Sequence, residues 1–441
     1  MKILGTWGLV LLFWFSRWSS AGAGGTVLSS AELAEKGSAL FLQYCAHCHG
    51  LKGGGDGYNA EFLEKEPANL SDLEFMGKKK DGQIFRTIQK GGAGVHKSHL
   101  MPVFGYTLSE EEIWSLVAYV RTLSGSSIQQ VSIPDSITHE KLKEVKVNPN
   151  DIKRFSAWLA KGEDPGLIEV GEKLFKKKKS CVACHKIEKA LSEYDEDDAE
   201  DTDRYEGGHV GPDLTRSGFM FPPDWLYIWL KNPQGPRPKT KMPNLGFDDD
   251  DIKAVITYLI SLRGEKKGLP EEWMPYLDVE GDPEEGKRLF YDPKSHANCV
   301  ECHSINKKGG DVGPDLGFIG SARTRAFLLE SILDTNKVIT VGYSKVTLLF
   351  KKKYKGKRTL TGVLSNEDES SFEILDKDGQ THLISKDLIM KFFDKPSEMM
   401  QKKFDKKLSV KEVGDILAFL ETLKWPTLEG INSSPMSKFQ Q

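Results

Sequence analysis

All six cysteines of the chain fall in three copies of one five-residue pattern. These are Cys45-Ala46-His47-Cys48-His49, Cys181-Val182-Ala183-Cys184-His185 and Cys299-Val300-Glu301-Cys302-His303. A Cys-x-x-Cys pair can be half a zinc site, a redox-active disulfide, or the attachment point of a covalent c-type haem. A structural zinc needs four ligands, and here each pair lies well over a hundred residues from the next. A thioredoxin-like pair has no use for a histidine directly after its second cysteine. At this histidine content, chance puts one there in all three copies about once in a hundred thousand. Haem attachment accounts for every position. The two thiols of each pair form thioethers, and His49, His185 and His303 become the proximal iron ligands.

The N-terminus points to export. Lys2 precedes a short apolar run, Ile3 to Phe15, and the small residues Ala21-Gly22-Ala23 follow. This is the layout of a secretory signal peptide over residues 1–23. The run is short of the roughly 20 apolar residues that a spanning helix needs. Arg17 and Trp18 leave an uncleaved anchor as the alternative. An exported, periplasmic chain is therefore expected.

Length sets the number of units and charge limits the partners. The 441 residues suggest about three domains. A net charge of −3 makes no case for nucleic acid.

The repeat is wider than the cysteine pattern. Gly-x-x-Leu-Phe precedes each copy, at Gly37 to Phe41, Gly171 to Phe175 and Gly286 to Phe290. Well downstream of each lies an amphipathic helix whose first core residue is Ile113, Ile252 or Val413. Apolar residues follow three, four and seven places on, a helical period, and an aromatic residue stands at Tyr119, Tyr258 or Phe419. Acidic residues gather in each first turn, where the helix dipole favours them. Each helix alone is ordinary core. Three in one register divide the chain.

Together these features resemble the class I cytochrome c fold. The resemblance implies a mainly α chain of three tandem cytochrome c-like domains, with Gly37, Gly171 and Gly286 letting helices cross against Tyr119, Tyr258 and Phe419. The expected layout is domain one at 30–125, a linker at 126–162 and domain two at 163–264. A second linker at 265–281, domain three at 282–425 and a tail at 426–441 complete it. The resemblance also implies three covalent haem c groups, held by Cys45, Cys48, Cys181, Cys184, Cys299 and Cys302. The family's usual sixth iron ligand is methionine. Met101-Pro102 and Met242-Pro243 lie 53 and 58 residues after the second cysteine of their motifs, each in a polar loop before the closing helix. His96 and His99 are rivals to Met101, and His209 to Met242. A proline carbonyl orients the proximal histidine in the family, which suggests Pro212 and Pro314 in VGPDL and Pro67 in EPANL.

The third domain departs from the pattern. Alternating apolar and polar residues from about 342 to 385, with Asp378-Gly379 as a hairpin signal, predict a small antiparallel β insertion. This resembles the haem-binding domain found as a C-terminal module in planctomycete and verrucomicrobial proteins. Its ligand turn reads SEMMQKKF and lacks the proline. Met400 has the better spacing to Phe404 and Leu408, and Met399 is the alternative.

A His/Met haem has both axial positions filled and exchanges single electrons. The resemblance therefore implies an electron relay, a cytochrome subunit of a membrane respiratory or dehydrogenase complex with a soluble redox partner such as another cytochrome. An enzyme or sensor with an open third haem, or a structural subunit, are the other readings. The acidic run Glu193 to Asp203 is either a solvated loop or a dock for a basic partner. Lys176 to Lys179 and Lys351 to Lys353 read as solvated faces. The connector segment IKRFSAWL, from Ile152, is placed to wrap on a neighbouring domain.

Overall fold

In the computed structural model, the residues described are 30–125, 141, 147–161, 165–188, 205–262, 269–340, 343, 345–367, 371–376, 380–394, 400 and 404–426. The apolar N-terminal run, the acidic stretch 193–203, Asp378-Gly379, Met399 and the C-terminal tail lie outside them.

Three helical units follow one another, and each is built on the crossing of its opening and closing helices. Ser30–Tyr44 packs on Glu110–Leu123 in the first unit. In the second, Pro165–Lys173, prolonged by a wider π-type turn at Leu174–Lys178, packs on Asp249–Ser261. In the third, Pro283–Tyr291 packs on Val410–Thr422. The glycine of each opening helix makes the crossing possible. A side-chain carbon would fall 2.0 Å from the Ser115 carbonyl oxygen at Gly37, 2.1 Å from that of Ala254 at Gly171, and 1.9 Å from that of Asp415 at Gly286. Ser115, Ala254 and Asp415 each lie one helical turn before the aromatic residue of the closing helix. The rings then pair: Phe41–Tyr119 at 5.2 Å, Phe175–Tyr258 at 5.6 Å and Phe290–Phe419 at 5.6 Å between centroids. The expected crossings are present in all three units.

Local chemistry starts the closing helices where the acidic residues suggested. Ser109 and Ser409 form reciprocal caps with Glu112 and Glu412, and Asp248 accepts from the backbone N–H of Asp251. The connector helix Pro149–Leu159 buries Ile152, Phe155 and Leu159 in the core of the second unit.

The β insertion is larger than expected. Short ladders first follow two of the cysteine motifs: β1 (Ile187–Glu188) with β2 (Tyr205–Glu206), and β3 (Ser304–Ile305) with β4 (Lys308–Gly309). The insertion is a five-stranded antiparallel sheet of β5 (Lys345–Tyr354), β6 (Lys357–Glu367), β7 (Ser371–Asp376), β8 (Thr381–Ser385) and β9 (Ile389–Asp394). Its order is β8-β7-β6-β5-β9, so it runs beyond residue 385 to Asp394. The last strand returns across the sheet to pair with the first, a non-local contact that short-range alternation does not announce. Val346, Leu348, Phe350, Ile374 and Ile384 fill its core. Val363 and Leu375 turn instead toward Val312, with the half-buried Cys302 packed against them, so the sheet covers one side of the third motif.

The units also interlock. Phe327 and Ala322 of the third unit belong to the apolar core of the second. Trp225 stacks on Phe318 at 5.5 Å, and Thr324 Oγ1 donates to the Phe219 carbonyl at 2.6 Å. The first unit meets the second through Thr107 Oγ1, which accepts the Asn244 N–H at 2.8 Å, and through Tyr106, which covers Gly246. Among the described residues, no helix is long and apolar enough to cross a membrane.

Candidate haem centres

Each cysteine motif presents the same local geometry. Backbone bonds from His49 to Cys45, His185 to Cys181 and His303 to Cys299 close one tight turn at 2.9 Å, which brings the histidine under the cysteine pair. Each imidazole then donates from Nδ1 to a carbonyl: His49 to Ala68 at 3.0 Å, His185 to Pro212 at 2.9 Å and His303 to Pro314 at 2.9 Å. That bond fixes the tautomer and leaves the Nε2 lone pair free for a metal. Burial pushes all three imidazoles below their ordinary range and the carbonyl contacts offset this only in part, so the neutral, ligating form is held. Gly211 and Gly313 lie flat against the rings, where a side-chain carbon would come within 2.3 Å of His185 Cε1 and 2.6 Å of His303 Cε1.

The first unit corrects the proline assignment. The carbonyl comes from Ala68, and Pro67 turns its own carbonyl toward Gly55. The register is set from the leucine that closes the loop. Leu70, Leu214 and Leu316 are each tied back by their N–H, and the acceptor carbonyl lies two residues before each of them. In EPANL that count lands on alanine.

The thiols lack the setting that favours a thiolate. All six are free of disulfides. Burial pushes Cys45, Cys181 and Cys299 each up to about 12, and raises Cys48, Cys184 and Cys302 as well. A thiolate, the form that binds zinc or attacks a disulfide, is disfavoured there. Among the described residues, no three His, Cys, Asp or Glu side chains gather to hold a metal ion. Half-buried to buried, uncharged sulfur beside an oriented imidazole suits thioether attachment, so the donor set fits haem c.

Each methionine packs against the same apolar cluster as a cysteine of its motif. Met101 and Cys45 pack against the first core, Met242 and Cys181 belong to the second cluster, and Met400 and Cys299 pack against the third. Phe404 and Leu408, each 4 % exposed, anchor the chain just after Met400. Two of the three histidine rivals are turned elsewhere. His96 is exposed in a left-handed turn, and His209 stacks on Phe62 of the first unit at 4.1 Å. Trp229, which sequence reasoning passed over, donates its indole N–H to Met242 Sδ at 2.9 Å. Of the lysines before the second motif, Lys176 pairs with Glu172 and Glu206, and Lys179 with Asp251, so these residues brace the fold.

Known proteins match in the same three places. The family model "Cytochrome c" matches residues 168–263 and 283–424, and the model "Cytochrome C oxidase, cbb3-type, subunit III" matches residues 32–120. The first covers more than half of the chain, which therefore belongs to the cytochrome c family. With its repeated units the chain is a multihaem cytochrome of class I. Over 92 residues it is 38% identical to the cbb3-type cytochrome c oxidase subunit FixP of Azorhizobium caulinodans, a match over 21% of this chain and 28% of that protein. The chain thus spans little more than a quarter of that relative. A solved structure, the Kuenenia stuttgartiensis reducing HAO-like protein complex, matches at 23% identity over 52% of this chain and 96% of that one. Its TM-score is 0.18, a value that places no constraint on the fold.

Proposed function

We propose that the chain is an exported triheme cytochrome c that relays single electrons, as the cytochrome subunit of a membrane-associated respiratory or dehydrogenase complex. The observation that carries this reading is the threefold repeat of a cysteine pair, a carbonyl-oriented histidine and a methionine packed at one core. Cys45 with Cys48, Cys181 with Cys184, and Cys299 with Cys302 would hold the three haems. His49 with Met101, His185 with Met242, and His303 with Met400 would be the axial ligands. Haem iron supplies one-electron exchange, at a potential raised by a methionine ligand. The residues hold each imidazole neutral and fix the units against one another. The part-match to a cbb3-type oxidase subunit supports work beside other redox proteins in a complex.

The test begins with intact mass, which should exceed the polypeptide by three haem masses. Carbon monoxide added to the reduced protein should bind negligibly, and Met400→Ala should open one site. Stoichiometric binding by the unmodified protein would instead favour an enzyme or sensor with an open third centre.

Trp229→Phe gives a finer expectation for the second centre. The indole N–H draws electron density from Met242 Sδ, and a net hydrogen bond of about 1 kcal/mol corresponds to about 40 mV for one electron. The second haem's midpoint potential should fall by about that much on replacement, with its methionine-to-iron band retained in the near infrared. An unchanged potential would separate Trp229 from the ligand.

A further inference from the structure

The first and second cysteine motifs meet at one fully buried polar side chain. Asn59 is 0 % exposed, although asparagine buries readily only when its amide is satisfied. Its backbone N–H donates to the His47 carbonyl at 2.9 Å, which fixes it to the first motif. Its side-chain amide reaches into the second. Nδ2 donates to the carbonyl of Ala183, the residue before Cys184, at 2.8 Å, and Oδ1 accepts the His209 N–H at 2.8 Å. The same Nδ2 lies 3.4 Å from Cys48 Sγ. Gly208 makes room, since a side-chain carbon there would fall 2.5 Å from Asn59 Oδ1.

We propose that Asn59 is the positioning residue that couples the first two centres electronically. Its amide links the Cys48 sulfur to the backbone entering Cys184 and makes these two the closely coupled pair of the relay. The proposal rests on the reading of both motifs as haem sites. Its physical content is the bridge. Two hydrogen bonds and a few covalent bonds replace a van der Waals gap between the sulfur-bearing edges, and electron exchange falls steeply with such gaps. A purely structural role would need only the Ala183 and His209 bonds, whereas the contact of Nδ2 with Cys48 Sγ brings the bridge onto the first motif's sulfur.

The experiment uses the complete holoprotein and three variants. Asn59→Ala removes the bridge, Asn59→Leu restores its volume without donors, and Asn59→Gln restores an amide. Flash reduction followed by transient absorption reads exchange between the first two haems. Ala and Leu are expected to slow it about tenfold, the change that about 1.4 kcal/mol of activation free energy makes, and Gln to recover part of the loss. The first haem's potential should also fall in both slow variants. Wild-type exchange in Ala and Leu with three haems bound, or full recovery by Leu, would overturn the proposal. The unmodified protein supplies a second measurement. In a stepwise reductive titration the first and second haems should influence each other more than either does the third, and equal or absent interaction would also overturn it. A wild-type mass short of three haems would instead count against the haem reading itself, before any variant is made.

Discussion

Gly171→Ala is expected to destabilise the second unit by about 2 kcal/mol, lowering its melting temperature by about 10 °C. The direction is diagnostic, because in an ordinary helix the same change gains up to about 1 kcal/mol of helix propensity. Here the new carbon would meet the Ala254 carbonyl oxygen at 2.1 Å and Tyr258 Cβ at 2.8 Å. Both belong to the closing helix, whose neighbours Val255 and Ile256 are fully buried, so neither helix has room to retreat. Overpacking of this kind costs about 3 kcal/mol when backbone must move, and the propensity gain offsets a third of it. Gly82→Ala is the control. It lies in the helix Asp81–Lys90 with only Arg86 Nη1 at 3.7 Å, and it should be neutral or stabilising. Thermal melts of the holoprotein followed in the haem absorption would read both. A stabilised Gly171→Ala variant would mean that the helices do not cross at that residue.

That crossing shows what kind of information the sequence carried plainly. A glycine, a leucine-phenylalanine pair, the cysteine motif and a helix of fixed register recur three times, and repetition turns ordinary core positions into a shared geometry. The proximal carbonyls of Pro212 and Pro314 were legible because Val-Gly-Pro-Asp-Leu recurs intact. Ala68 was hidden because an extra residue stands between Pro67 and Leu70, and only the leucine keeps the register. Strand β5 alternates along the chain as its pattern suggested, and β7 and β8 pair as the hairpin signal suggested. Strand β9 earns its place only by pairing with β5, some forty residues earlier, and so left no local pattern. Asn59 and Trp229 were missed for a related reason. Each acts on a partner in another unit or another loop, Asn59 on Ala183 and Trp229 on Met242, and such contacts have no period to read.

Glu330→Gln should loosen the third unit from the second at neutral pH, costing about 3 kcal/mol of interface stability. Glu330 is 1 % exposed and is held by both Arg216 nitrogens, at 2.8 Å and 2.9 Å, with Lys337 Nζ at 2.8 Å. Glutamine keeps the volume but leaves the Arg216 guanidinium without its paired carboxylate. The estimate sits at the low end for a broken buried pair because Arg216 and Lys337 still reach water. Acid should reproduce the effect in the unmodified protein. Burial alone pushes the Glu330 carboxyl up, but Arg216 and Lys337 outweigh it and hold it below its ordinary value of 4.5. A carboxyl lowered on folding contributes stability that is complete above that ordinary value and is lost as the pH falls through the folded one. Hydrogen exchange across Phe219, Met220 and the helix Arg325–Leu333 would follow the opening. Wild-type protection should hold down to about pH 4.5 and then fall, whereas Glu330→Gln should be less protected at pH 7 and lack this acid step. If both proteins showed the same protection and the same acid profile, the ion pair would be no latch, and the join would rest on the packing of Trp225, Phe318 and Phe327 and the Thr324 bond to Phe219.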